Sequence, residues 1–255
     1  MSDKLRAARL PLAAAAFFWL AAPLAASTNT AFGFIEQGDH AYAERTKETG
    51  AAEALKLYDQ AMTEDPGNIQ AQWKAARALY WMADHAGNAR EKLKLFQEGI
   101  RRAEKTVGLE PESVEAHFWL AALYGSYGEA KGILKSLALV KPIRREMEAV
   151  IRLDDRFQGG GGYRVLGVVD YKVPGFAGGS RKRALENLNK ALAIDPDNAF
   201  TRYYLAEYFE TVNKRGQAVE HLDALDRLVP KVDVDRPDLE LMKERGALLR
   251  KKLKR

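Results

Sequence analysis

One pattern occurs twice in this chain, 34 residues apart. Ala184, Leu188, Ala191 and Pro196 stand at offsets of four, seven and twelve, and Ala218, Leu222, Leu225 and Pro230 repeat those offsets. Residues four and seven apart share one face of an α-helix. The first three positions of each set therefore form a single stripe, and its small residues let a second helix come close. The proline ends the helix, because it has no N–H to donate and its ring clashes with the preceding turn. Between the two prolines, Leu205, Ala206 and Phe209 supply apolar, small and aromatic side chains at helical spacing. A hairpin of two such helices cannot bury its apolar face alone. A fixed period means that each hairpin lays that face on the next, so the chain is constrained to an all-α stack of helical hairpins.

The same offsets recur upstream. Ala54, Tyr58, Ala61 and Pro66 keep them, Gly99, Ala103, Thr106 and Pro111 form a degenerate copy, and Ile143, Met147, Val150 and Asp155 replace the proline by aspartate. First helices of pairs are predicted over 35–45, over 68–86 with Trp73, Ala76 and Tyr80 on one face, and over 113–124 with Ser113 as N-cap. Pro66 and Pro111 are 45 residues apart, eleven more than the period, which predicts longer helices there. An insert over 125–142 is apolar enough to be buried. The run QGGGG at 158–162 is expected to let the chain turn freely, and Tyr163–Tyr171 reads as a short helix or a strand. Ser180 ends a compact loop and caps a helix over 181–193. A terminal helix over 235–255 starts with Asp235 as cap and Pro237 in its first turn. The expectation is a solenoid of four to five hairpins over residues 35–230, with inserts, closed by a C-terminal capping helix.

These residues resemble the tetratricopeptide repeat family, whose period is 34 residues. A narrower resemblance rests on EAHFWLAALYG, GILKSLALVKPIRREME, GGGGYRVLG and VPGFAGGSRKRAL. These blocks are similar to the T-component of tripartite ATP-independent periplasmic (TRAP) transporters. That resemblance implies a periplasmic helical repeat protein that attends the substrate-binding protein of an uptake system. Many such components are lipoproteins; this chain has no cysteine, which rules out lipid anchoring through one. A second, looser resemblance is to the repeat domain of microtubule-dynamics regulators, which carry similar insert blocks.

The N-terminus argues against that second cellular role. Lys4, Arg6 and Arg9 precede a 13-residue apolar run, Leu10 to Ala22, and small residues follow at Ala25, Ala26 and Ser27. This order suits a secretory signal over residues 1–26, cleaved on export to the periplasm or an equivalent compartment. The alternative is an uncleaved anchor, since no charge follows until Glu36. Residues 1–26 carry a net +2 of the chain's +5 and residues 243–255 carry +6, so the stretch between them carries −3. The basic character thus belongs to the tail. Such a tail serves a solvated capping helix or an anionic surface, and the first is expected here, with no nucleic acid partner.

Chemistry is sparse. The four histidines fall in different helices without metal-ligand spacing, and no G-x-S-x-G elbow is present. Neither an enzyme, a metal site nor a cofactor is expected. Gly178, Gly179, Ser180 and Arg181 open a helix beside further cations, so they form either an anion site or a tight turn with a cap. Aromatic residues concentrate on the first helices of pairs, the helices that line the concave face of such a stack. Trp81, Phe118, Tyr203 and Glu207 are the candidate partner- or ligand-binding residues. The expected role is a non-enzymatic, exported protein–protein interaction module. Its partner would be a periplasmic solute-binding protein; a small ligand and self-association stay open. A ligand-free scaffold of envelope or secretion machinery is the alternative.

Overall fold

The structure, a computed structural model, describes residues 24–232 and 236–254, with side chains from residue 30 onward. Most of the proposed signal and the proposed cap Asp235 lie outside the described residues. The fold is all-α, with no strand among the described residues. The helices are α1 (Leu24–Ala43), α2 (Gly50–Glu64), α3 (Ile69–Asp84), α4 (Ala89–Leu109), α5 (Val114–Lys131), α6 (Val140–Leu153), α7 (Phe157–Lys172), α8 (Arg181–Ile194), α9 (Ala199–Thr211), α10 (Arg215–Arg227) and α11 (Arg236–Leu253). They pair in order into five antiparallel hairpins, each packed on its neighbours in sequence, and α11 lies against α9 and α10. The architecture is a tetratricopeptide-like solenoid.

Local chemistry sets the hairpin boundaries. Asp65, Glu110 and Asp195 each precede a proline and sit at φ −136°, −136° and −140°. Proline pushes the residue before it out of the helical region, so each helix stops one residue ahead of the proline itself. The chain restarts at once. Asn68, Ser113 and Asn198 accept hydrogen bonds from the amides of Ala71, Ala116 and Thr201 at 3.0, 3.2 and 3.1 Å, as N-caps do. Asp65 and Asp195 brace the turn by accepting from the amides of Gly67 and Asp197 at 3.2 and 3.3 Å.

Every stripe residue in the five offset sets is buried. Gly99 shows how close the helices come, for a Cβ there would meet Leu123 Cδ2 at 2.7 Å. The long spacing between Pro66 and Pro111 is taken up by α4, which has 21 residues.

Three expectations need correction. The glycine run does not give free turning. Gln158, Gly159 and Gly160 adopt left-handed backbone (φ 52°, 62° and 76°), and a Cβ on Gly160 would come within 2.9 Å of Ala191 Cα. The run is a fixed corner at a close approach of α7 and α8, and the helix proper follows it. The segment after it is a helix, the first of the two readings open from the sequence. The insert is half-buried rather than buried: α5 continues to Lys131, a 3₁₀ turn spans Ile133–Leu139, and Leu134 is exposed. Finally, α11 does more than cap the last hairpin. Its Arg245 Nη2 meets Asp84 Oδ2 of α3 at 2.6 Å, its Asp238 meets Arg45 at 3.1 Å, and Leu241 packs against both the C-terminal core and the N-terminal one. The last helix thus bridges the two ends of the stack.

Candidate functional site

The first helices of the hairpins, α1, α3, α5, α7 and α9, turn the face opposite their partners toward a common cavity of about 740 Å³, and α11 supplies part of the remaining wall. That volume lies within the range of pockets that take small ligands, roughly 300–1,000 Å³. Tyr42, Tyr80, Trp81, Phe118, Trp119, Phe200, Tyr203 and Tyr204 give it an aromatic lining. Tyr80 stands edge-on to Trp119 with centroids 5.6 Å apart, and Tyr203 stands edge-on to Tyr204 at 5.3 Å. Burial pushes the hydroxyl pKa of Tyr203 up to about 12 and raises those of Tyr80 and Tyr204 as well, so all three stay neutral donors near neutral pH.

The charges on the wall are mostly paired. Asp84 holds Arg245 at 2.6 Å and Lys92 at 3.9 Å. Lys172 lies between Glu129 at 2.7 Å and Glu207 at 3.4 Å. Burial would lower the Lys172 pKa, but those two carboxylates outweigh it and raise it. Arg77 meets Asp39 at 3.5 Å and lies over the Tyr42 ring at 3.9 Å.

The four residues singled out from the sequence line this one cavity, in different ways. Tyr203 and Glu207 are half-buried. Glu207 accepts from the Tyr171 hydroxyl and, at 3.3 Å, from Tyr203. Trp81 is buried, donates its Nε1–H to the Arg45 carbonyl at 3.0 Å and stacks on His85. Phe118 is also buried, edge-on to Trp119 and Phe157 at 5.4 Å, with Gly161 directly against its ring. Phe118 is therefore a core residue whose edge reaches the wall.

The glycine loop before α8 does not converge on an anion. The Gly179 and Ser180 amides donate to the Pro174 and Asp170 carbonyls at 3.1 and 2.8 Å, and the Ser180 hydroxyl caps α8. Arg183 and Arg144 both reach the buried Asp170 carboxylate, at 2.8 and 2.6 Å, and both bond the Gly178 carbonyl. The carbonyl of Arg181 accepts from Tyr208. The turn-and-cap geometry is thus present, and the Gly178, Gly179 and Ser180 amides already have acceptors.

Sequence reasoning passed over Arg164. The signal was there: Arg164 and Asp170 are the charged residues of an otherwise apolar helix, YRVLGVVDY. Arg164 is 5% exposed and lines the cavity. Desolvation by burial lowers its pKa to about 10, which still leaves it cationic at neutral pH.

Comparison with known proteins supports the same architecture. A thermophilic tetratricopeptide repeat protein of Thermus thermophilus superposes with a TM-score of 0.63 at 20% identity, over 86% of this chain and 99% of that one. MamA from Desulfovibrio magneticus is more distant, with a TM-score of 0.49 at 16% identity over 76% of this chain and 94% of that one. In sequence, regulator of microtubule dynamics protein 1 of Bos taurus is 30% identical over 125 residues, 48% of this chain and 37% of that protein. The match thus spans little more than a third of the relative's length. The transporter-component resemblance finds no support in these comparisons, whereas the looser one does. The family described as regulator of microtubule dynamics protein 1-3 matches residues 34–173, more than half of the 255 residues, and the chain belongs to that family.

Proposed function

We propose that this protein is a non-catalytic interaction module that receives a segment of a partner protein in the aromatic cavity. The observation that carries this reading is the convergence of half-buried aromatics from several hairpins on one cavity wall. Aromatic side chains anchor partners well because they bury much area while losing little conformational freedom. The deciding variant is Tyr203→Ala, since Tyr203 lies on the wall and outside the set of fully buried side chains. It should leave the melting temperature within a few degrees and weaken partner capture about tenfold, or about 1.4 kcal/mol. Undiminished capture by the folded variant places docking on another surface.

Partner and compartment are two sides of one question. The signal-like N-terminus supports an exported protein that meets a solute-binding protein, whereas family membership supports a partner connected with microtubule dynamics. Co-sedimentation with assembled tubulin, and intact-mass analysis of the protein recovered from its native compartment, separate the two. Retention of residues 1–26 together with tubulin binding favours the second. A mature mass starting near Ser27 without tubulin binding favours the first.

A further inference from the structure

Arg164 differs from every other cation on the cavity wall. Arg45, Arg77, Lys92, Lys172 and Arg245 each have a carboxylate within 4.0 Å. Arg164 has none among the described residues, although it is 5% exposed and strongly desolvated by burial. The acid that acts on it from a distance, Asp195, is engaged by Lys231 at 2.8 Å. A buried cation without a counter-charge is costly unless something supplies one.

The hydrogen bonds of Arg164 are one-sided. Nη1 donates to the carbonyls of Gln158 and Gly159 at 3.0 and 3.4 Å, to Asn198 Oδ1 at 3.3 Å and to Thr201 Oγ1 at 3.4 Å. These contacts tie the left-handed corner before α7 to the start of α9, which is a structural task. Nε and Nη2 take no part in it. Among the described residues they have no hydrogen-bond partner, and they are not sealed from solvent, while Arg164 itself lines the cavity. The same holds for the Tyr204 hydroxyl. The ring of Phe200 lies 5.6 Å from the guanidinium carbon. Nε and Nη2 form the side of the guanidinium fork that matches the two oxygens of a carboxylate.

We propose that Arg164 is the anchor for a carboxylate borne on an apolar or aromatic body, with the Tyr204 hydroxyl as a further donor and Phe200 against the body. The proposal rests on reading the cavity as the docking site, and it names the docked part as the free C-terminal residue of the partner segment. A small free monocarboxylic acid has the same chemistry and is the other source.

The test is calorimetric titration of the full chain with N-acetyl-phenylalanine, with N-acetyl-phenylalaninamide, and with a hexapeptide ending in phenylalanine as free acid and as C-terminal amide. Each acid should bind at least tenfold more tightly than its amide. Arg164→Met should abolish that preference, while Lys182→Met, at an exposed position, should keep it. If Arg164→Met melts too low to assay, Arg164→Lys retains the charge and loses the fork, and it should still reduce the acid preference severalfold. Tyr204→Phe should weaken the acids and leave the amides unchanged. A hexapeptide acid tenfold tighter than N-acetyl-phenylalanine assigns the carboxylate to a protein C-terminus; equal affinities assign it to a free acid, and both keep the anchor. Equal binding of acids and amides by the wild-type protein, or no binding of any probe, overturns it. If acid and amide bind alike while Tyr203→Ala still loses the partner, the docking reading stands without the anchor. If the acid preference is present while Tyr203→Ala captures normally, the anchor stands and the docking reading falls.

Discussion

His117 and Glu146 show what single residues contribute away from the cavity. His117 Nδ1 lies 2.6 Å from Glu146 Oε2, and its Nε2 lies 2.8 Å from the Pro111 carbonyl. Both neighbours are acceptors, so only the doubly protonated ring satisfies both. The bond to Glu146 raises the His117 pKa against the pull of burial. Burial disfavours the Glu146 carboxylate, but His117 and Arg145 outweigh it and lower its pKa. The signs follow. The histidine contribution is complete below its unfolded value of about 6.5 and is lost as pH rises through its higher folded value. The glutamate contribution is present above its unfolded value of about 4.3 and is lost as pH falls through its lower folded value. The pair should therefore stabilise most between roughly pH 4.5 and 6.5. Melting curves of wild type and His117→Gln across pH 4 to 9 check this: the wild-type advantage should shrink above neutrality, and a gap independent of pH would contradict it. Nothing in the sequence marks this pair, because the two residues are 29 positions apart on different helices.

At the level of helices, the sequence is most informative where structure depends on spacing within one helix. The stripe Ala184, Leu188, Ala191 could be read directly, since positions four and seven apart share a face whatever lies opposite. Ala191 is fully buried against the Gly160 corner. Ala191→Trp should therefore overpack the α7–α8 contact and lower stability by about 1–3 kcal/mol or more. Lys190 points its ammonium toward the Tyr163 ring at 5.3 Å, and Lys190→Ala should cost under about 0.5–1 kcal/mol. Denaturant unfolding of the two variants reads the difference directly; similar midpoints would refute the close contact. The roles of Phe118 and Tyr203 were not legible in the same way. Both lie on first helices at suitable register, but Phe118 has the Phe157 ring and Gly161 against it, whereas Tyr203 faces the cavity. Which neighbour covers a face is a tertiary fact that a helical period does not encode. Arg164 is intermediate: its presence in an apolar helix was visible, but its pairing was not.

Across the whole molecule, charge on the tail meets opposite charge on the body. The excess of positive charge in residues 243–255 and the deficit in the body are complementary: Arg250 meets Asp223 and Asp226 at 2.9 and 2.8 Å, Lys252 meets Glu210 at 2.7 Å, and Arg245 meets Asp84. Arg245→Glu would set two carboxylates against each other at the bridge between the ends. Small-angle scattering should then show a larger radius of gyration with unchanged helical circular dichroism, and an unchanged radius would show that apolar contacts alone hold α11 in place. Composition alone revealed that the tail and body carry opposite charge, but not that the tail reaches α3, because Arg245 and Asp84 are separated by 161 positions. That separation gives the chain an order in time. The hairpins can fold in turn, each on its predecessor. The wall bearing Asp238 and Arg245 is made after all the others. A chain clipped before residue 236 would therefore keep its hairpins yet lack the part of the cavity wall that α11 supplies.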